Sequence, residues 1–313
     1  MTAIARKPWF WAWVAAALTF VPTAMLSQGT GGAWDLAAAA LTFASFSIFV
    51  GLGQMMVITL GPGNADLSIP ATMTLAGTLS LKLMDGAAGT GWAGLLVALA
   101  VGLGCGAGNY LLILLLRIPP IVATLAASFL YLSFAIWSNR GLRIKPPDWL
   151  ADFATGAPLG LPNIALIATA FAVLFWVVLD LSVYGRWVSA IGQSPRAARL
   201  SGVPVDLARA SAYVLSAVMA ALCGFLLSCF SGGAALNMGT EYLLISIAVV
   251  VIGGSSIAGG NSNVPGILGA SLFLFLVVSM LNSYGLGAGV RLIMTGVIII
   301  AIVAAASGRK GAS

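Results

Sequence analysis

The sequence contains no histidine and very little charge, with only 7% of its 313 residues being Asp, Glu, Lys or Arg. Without histidine the usual zinc hydrolases lose ligands and a Ser-His-Asp triad loses its base, so a metalloprotease or serine hydrolase of those kinds is excluded. A Ser–Lys pair passes that test, but Lys82 has no evident partner and stands near the end of an apolar run, where a snorkelling amine is the ordinary reading. No G-x-x-x-x-G-K-S/T stretch occurs, so the chain lacks the phosphate-cradling loop needed to hydrolyse ATP unaided. The only cysteines, Cys105, Cys223 and Cys229, lie in apolar runs and read as small buried hydrophobes, with no disulfide or metal role.

What fills the chain instead is apolar: 60% hydrophobic residues and 38 glycines, far outside the range of a soluble domain. The apolar runs are about 17 to 26 residues long, enough to cross a hydrocarbon core as helices, whereas barrel strands are shorter and alternate. The expected fold is therefore an all-α polytopic membrane protein with about ten transmembrane helices, some of them broken or re-entrant at Gly-rich segments. The ten runs are Trp9 to Leu26, Leu36 to Leu60, Leu67 to Met84, Trp92 to Leu116, Ile121 to Ser138, Ile164 to Val183, Ala210 to Phe230, Tyr242 to Ile257, Pro265 to Leu281 and Val290 to Ala306.

Lys and Arg in short loops orient such a protein. Arg6 and Lys7 precede the first run, Arg186, Arg196, Arg199 and Arg209 fill one internal loop, and Arg309 and Lys310 close the chain; ten spans put all three groups on one side. Both termini and the loop of residues 184–209 are thus expected in the cytoplasm. The loop with Arg140, Arg143 and Lys145 dissents, but Asp148 and Asp152 accompany it, and it is assigned outside. The net charge of +6 reflects this bias and not affinity for nucleic acid. The first run is long and lacks a convincing cleavage site, so it reads as an uncleaved span.

Two stretches interrupt the apolar pattern in related ways: "VITLGPGNADLSIPATMTLAG" from Val57 and "VVIGGSSIAGGNSNVPGILGA" from Val250. Each passes from a β-branched run through Gly, Asn and Ser into a Pro-bearing start of the next run, which hints at an internal repeat. Broken helices that line a cavity would read this way, and so would two short cytoplasmic turns. Asp66 stands just before an apolar run, where its carboxylate can cap the amides of Ser68 or Ile69 or meet a solute. Inside a membrane such a group needs partners or water. Gln54, Asn64, Asp66, Ser68 and Ser246 are the candidate pathway residues. The run "GLGCGAG" from Gly102 has no Lys and no preceding strand, and reads as a surface for close helix approach.

The segment "YGRWVSAIGQSPRAARLSGVPVDLARASAYVL" resembles the cytoplasmic loop and following helix of the ribose-type permeases of ATP-binding-cassette importers. The matching residues are Gly185-Arg186, Ala190-Ile191-Gly192 and Ala197-Ala198-Arg199-Leu200-Ser201-Gly202. "IPPIVATLAASF" around Pro119 to Leu125, "DLS" at Asp66 to Ser68 and "AVVVIGGSSIAGG" from Ala248 follow the family's order. The resemblance implies one transmembrane permease domain over residues 1–313 of a bacterial inner-membrane importer, surrounded by lipid. It implies a coupling helix in which Arg186, Gly192, Ala197, Ala198, Arg199, Leu200, Ser201 and Gly202 receive the work of a separate ATPase, with Ala198 and Gly202 shaping the contact. Pro195 can start that helix and Gly202 with Pro204 can stop it.

The implied partners are a cassette ATPase that binds ATP and Mg, an extracytoplasmic substrate-binding protein, and a second permease, identical or paralogous. No cofactor is expected on this chain. The implied cargo is a small polar solute such as a monosaccharide or polyol; a branched-chain amino acid or nucleoside permease of the wider superfamily, and a secondary transporter, are the alternatives. Three departures set the chain apart: Arg196 where the family commonly has an acid, Gly63-Asn64-Ala65-Asp66 in place of Gly-Gly-Ile-Asp, and Glu241 one place before Tyr242 instead of after it.

Overall fold

The computed structural model describes residues 7–26, 32–84, 88–139, 144–284, 287, 289–290, 293–298 and 300. Among them there is helix and turn but no strand. The helices are α1 (Pro8–Leu26), α2 (Gly32–Thr59), α3 (Ile69–Met84), α4 (Gly91–Leu116), α5 (Pro120–Ser138), α6 (Asp148–Thr155), α7 (Asn163–Trp176), α8 (Val183–Gln193), α9 (Pro195–Leu200), α10 (Val205–Phe230), α11 (Tyr242–Ile252) and α12 (Val264–Ser283). Seven are long and apolar enough to cross a membrane, namely α1, α2, α4, α5, α7 with its continuation, α10 and α12. The expected tenth span, Val290 to Ala306, lies largely outside the described residues, and so do Arg6, Arg140, Arg143, Arg309 and Lys310.

Two expected spans are short. Helix α3 has 16 residues and α11 has 11, because each borders a Gly-rich break. Gly254, with φ of 85°, ends the helical path after Ile252 by adopting the left-handed conformation that other residues avoid.

Helix α10 is the axis of the bundle: 72% of its apolar window is buried inside the protein, against 17% for α1 at the periphery. Lipid is as apolar as Leu, so helices in a membrane associate through close packing rather than through a hydrophobic drive, and small residues permit it. A Cβ on Gly106 of α4 would stand 2.5 Å from the Val214 Cα of α10, and one on Gly102 would stand 2.7 Å from the Val218 Cα. The two glycines, four apart, form one face, as the "GLGCGAG" run led us to expect. Gly53 of α2 meets the Ser216 backbone in the same manner, and Gly224 of α10 lies on the Met73 backbone of α3.

These contacts also fix direction. Along α10, Gly53 is level with Ser216 while the Phe46 carbonyl accepts from the Cys223 thiol (3.4 Å), so α2 runs antiparallel to α10; the Gly102 and Gly106 contacts make α4 antiparallel as well. Asp66 pairs with Ser216 and Met73 with Gly224, so α3 runs parallel to it. The peripheral α1 is pinned to α12 by the Trp13 indole, which donates to the Pro265 carbonyl (2.9 Å). Lys82 in the last turn of α3 is exposed, with its amine 6.0 Å from the centre of the Trp137 ring. Cys105, Cys223 and Cys229 are all buried and free.

Candidate functional site

The first break, between α2 and α3, carries a carboxylate into the protein. Asp66 has no exposed surface, and its Oδ1 accepts from the Ser68 amide (2.9 Å) and the Ser68 hydroxyl (2.6 Å). Asp66 thus accepts the Ser68 amide in a turn just before α3. The Ser216 hydroxyl of α10 donates to Oδ2 at 2.9 Å, and Asn109 of α4 donates to the Ser68 hydroxyl at 2.7 Å. From α2, Gln54 Oε1 accepts the Asp66 amide (3.1 Å), while its Nε2 is buried without a hydrogen-bond partner among the described residues. From α5, Thr124 accepts the Leu67 amide at 3.0 Å. Asn64 accepts from the Tyr213 hydroxyl (3.1 Å).

Four helices, α2, α4, α5 and α10, thus meet at one irregular stretch of backbone, and Gln54, Thr124 and Asp66 itself accept its amides, which a chain in hydrocarbon must satisfy internally. Ser216 stands 11 residues into the 26-residue α10, about 16 Å along its axis at 1.5 Å per residue. The cluster is therefore near the middle of the bundle.

Of the candidate pathway residues, Gln54, Asn64, Asp66 and Ser68 come together here. Ser246 does not join them: it is buried in α11 and its hydroxyl donates to the Leu243 carbonyl of its own helix (2.9 Å). Asn109, Ser216 and Tyr213 were not anticipated. A lone Asn or Ser in an apolar helix is the signal by which Asn109 and Ser216 could have been suspected, because polar groups at that depth need partners. Thr124 lies in the quoted "IPPIVATLAASF" run, and its hydroxyl explains why a Thr is useful there.

The loop of residues 184–209 is built of two short helices at the other end of the same apparatus. Helix α7 leaves the bundle through a wider π turn, Val177–Leu181, and α8 begins after it with Ser182 as cap, accepting the Gly185 amide (3.3 Å). A side chain at Gly185 would collide with the Leu179 carbonyl, so the turn demands glycine. Helix α9 starts as expected, with Ser194 accepting the Ala197 amide (3.3 Å) and Pro195 in the first turn. It stops as expected at Gly202, whose φ is 80°, with the Val203 amide donating back to the Ala198 carbonyl (3.0 Å).

The faces of α9 correct one expectation. Ala198 does not face outward: it is 4% exposed and packs into the chain's own core, where a small residue lets the helix lie down. Leu200 points outward at 84% exposure, the opposite of what a free-standing leucine prefers in water. Ala197, Ser201 and Gly202 are exposed with it, and a Cβ on Gly202 would meet nothing within 4 Å. Arg199 binds both oxygens of Asp206 (2.9 and 3.1 Å), bracing α9 to the first turn of α10. Beside α9 lies a concavity of about 360 Å³ lined by Pro195, Arg196, Arg199, Leu200, Val205 and Arg209. Arg186 is exposed, while Gly192 is buried against the two breaks.

The described helices form an apolar bundle with a polar break near its middle and a short helix bearing an exposed leucine at one end, and the chain's relatives say which class of membrane protein is built this way. The chain belongs to the family described as branched-chain amino acid transport system / permease component, matched over residues 36–303. It is 32% identical over 256 residues to the probable ABC transporter permease protein y4mJ of Sinorhizobium fredii, covering 81% of this chain and 75% of that one. It is 28% identical over 261 residues to the ribose import permease protein RbsC of Escherichia coli, covering 82% and 80%. The galactofuranose transporter permease protein YtfT of Escherichia coli is 32% identical over 240 residues, covering 76% of this chain and 67% of that one. No solved structure matches the chain.

Proposed function

We propose that this chain is the membrane subunit of an ATP-driven importer for a monosaccharide or a closely related polyol, paired with a second permease in the bacterial inner membrane. The observation that carries the reading is α9: a capped helix whose Ala198 faces inward and whose Leu200 is left bare for a partner. ATP and Mg belong on that partner, a cassette ATPase, and an extracytoplasmic binding protein delivers the solute. Both termini and residues 184–209 face the cytoplasm in this scheme.

The relatives named for ribose and galactofuranose favour a sugar, while the family's description keeps a branched-chain amino acid as the second reading. Pathway chemistry needs only hydroxyls and amides of the kind found around Asp66, since selectivity rests with the binding protein. The arginines around α9, including Arg196 where relatives of the resembled type carry an acid, suit an ATPase groove with carboxylates.

The test is to purify the chain with its ATPase and binding protein and measure which solutes raise ATP hydrolysis. A pentose or hexose should stimulate through the binding protein and leucine or valine should not; the reverse pattern selects the amino-acid reading.

A further inference from the structure

The two Gly-rich breaks meet each other, and they meet at Gly192 of α8. The Gly260 amide donates to the Thr59 carbonyl at the end of α2 (2.9 Å), and the Ser189 hydroxyl of α8 donates to the Gly260 carbonyl (2.5 Å). A Cβ on Gly192 would run into both the Thr59 oxygen and the Gly260 nitrogen, and one on Gly259 would run into the Gly61 backbone. Gly61, Gly259 and Gly260 all hold positive φ, at 123°, 86° and 77°. Three separate segments therefore touch backbone to backbone.

The junction continues inward. The Gly61 carbonyl accepts from the Asn64 amide (3.3 Å) and from its side-chain Nδ2 (3.1 Å), and Asn64 in turn holds Tyr213 of α10. Two residues further is Asp66, level with Ser216 near the middle of the bundle. We infer that the Gly61–Gly192–Gly260 junction is the transmission by which movement of α8 and α9 reaches the buried Asp66 cluster, with Ser189, Gly192 and Gly260 as positioning residues.

The physical reason is stiffness. Contacts between side chains absorb small displacements by changing rotamer, whereas backbone pressed on backbone and held by hydrogen bonds has no such freedom. Helix α9 is joined to the cluster by two routes: through the chain into α10, which carries Tyr213 and Ser216, and through α8 and the junction into the break, which carries Asn64 and Asp66. A stroke that moves α8 relative to α10 must shear the Asp66–Ser216 and Asn64–Tyr213 bonds. Coupling at a distance requires an element with two arrangements, and in this inference the cluster is that element, with α8 and α9 biasing it.

This inference rests on α9 being the ATPase seat, so the experiment separates the two. In vesicles holding the full importer, Ser189→Ala and Gly192→Ala are compared with Leu200→Asp and with Ser189→Thr, which keeps the hydroxyl. The measurements are ATPase co-purification, solute taken up per ATP hydrolysed, and amide exchange over residues 60–68 with and without vanadate-trapped nucleotide. The junction variants should retain the ATPase yet lose about fivefold or more in uptake per ATP. They should also lose the nucleotide-dependent change in exchange that the parent shows, and Ser189→Thr should restore both. If Gly192→Ala does not assemble, Ser189→Ala decides. Parent-like coupling in Ser189→Ala, or no nucleotide-dependent exchange at 60–68 in the parent, overturns the inference. Leu200→Asp that keeps its ATPase and full uptake instead removes the coupling reading beneath it, a failure visible without the junction variants.

Discussion

Asp66 is a buried carboxylate whose hydrogen-bond partners are hydroxyls and amides: Ser68, Ser216 and, at 3.5 Å, Asn109. Its work is to terminate several donors at once where backbone turns inside a membrane. Asp66→Asn keeps an acceptor for Ser68 and offers an amide to the Ser216 oxygen, so it should assemble and retain much of its transport. Asp66→Leu strands the Ser68 amide and hydroxyl, at about 1–3 kcal/mol for each buried group left unpaired, and should lower the yield of folded protein. Thermal unfolding in detergent, followed beside uptake, checks both; equal stability and transport in the two variants would contradict the role. The Asp66–Ser68 bond was legible because an Asp just before an apolar run commonly accepts an amide one or two residues on. The other half of the cluster was not, because Asn109, Ser216 and Tyr213 are brought there by the packing of α4 and α10, and nothing local in the sequence says which residues a crossing helix will present.

At the scale of elements, the helix expected between Pro195 and Gly202 is present with its start and stop signals in the anticipated places, since caps are local chemistry. Its rotation was not readable: six residues are too few for a hydrophobic period to show which face turns inward. That is why the sequence alone puts Ala198 on the outer side, where the structure does not. With the burial known, Ala198→Trp should lift α9 from the body of the permease rather than crowd an ATPase directly. Limited proteolysis of the solubilised permease without its ATPase should then cut the 184–209 loop faster than in the parent, and an unchanged cleavage rate would contradict that placement. The breaks were legible to a similar degree. Their Gly, Asn and Pro residues announced irregular backbone, and the structure shows a turn at Gly61 packed against α8 and an irregular stretch at Asp66 near the middle of the bundle.

For the whole molecule, composition alone defined an all-α membrane protein, because neither a soluble core nor a barrel fits runs of that length and oiliness. The axis of the bundle followed less directly. Small residues occur throughout the chain, and only their packing singles out Gly53, Gly102, Gly106 and Gly224 as the ones that bring α2, α3 and α4 against α10. The resulting architecture places a deep polar cluster and the exposed face of α9 on opposite ends of the same short stretch of α10. The central claim is that work enters this chain at α9, and the most direct measurement uses Leu200→Asp in vesicles with the ATPase and binding protein. Leu200 is exposed and contributes little to the fold, so the variant should insert like the parent while ATPase recovery and ATP-dependent sugar uptake fall together, by about tenfold for each 1.4 kcal/mol by which ATPase binding weakens. Parent-like recovery and uptake would contradict the account.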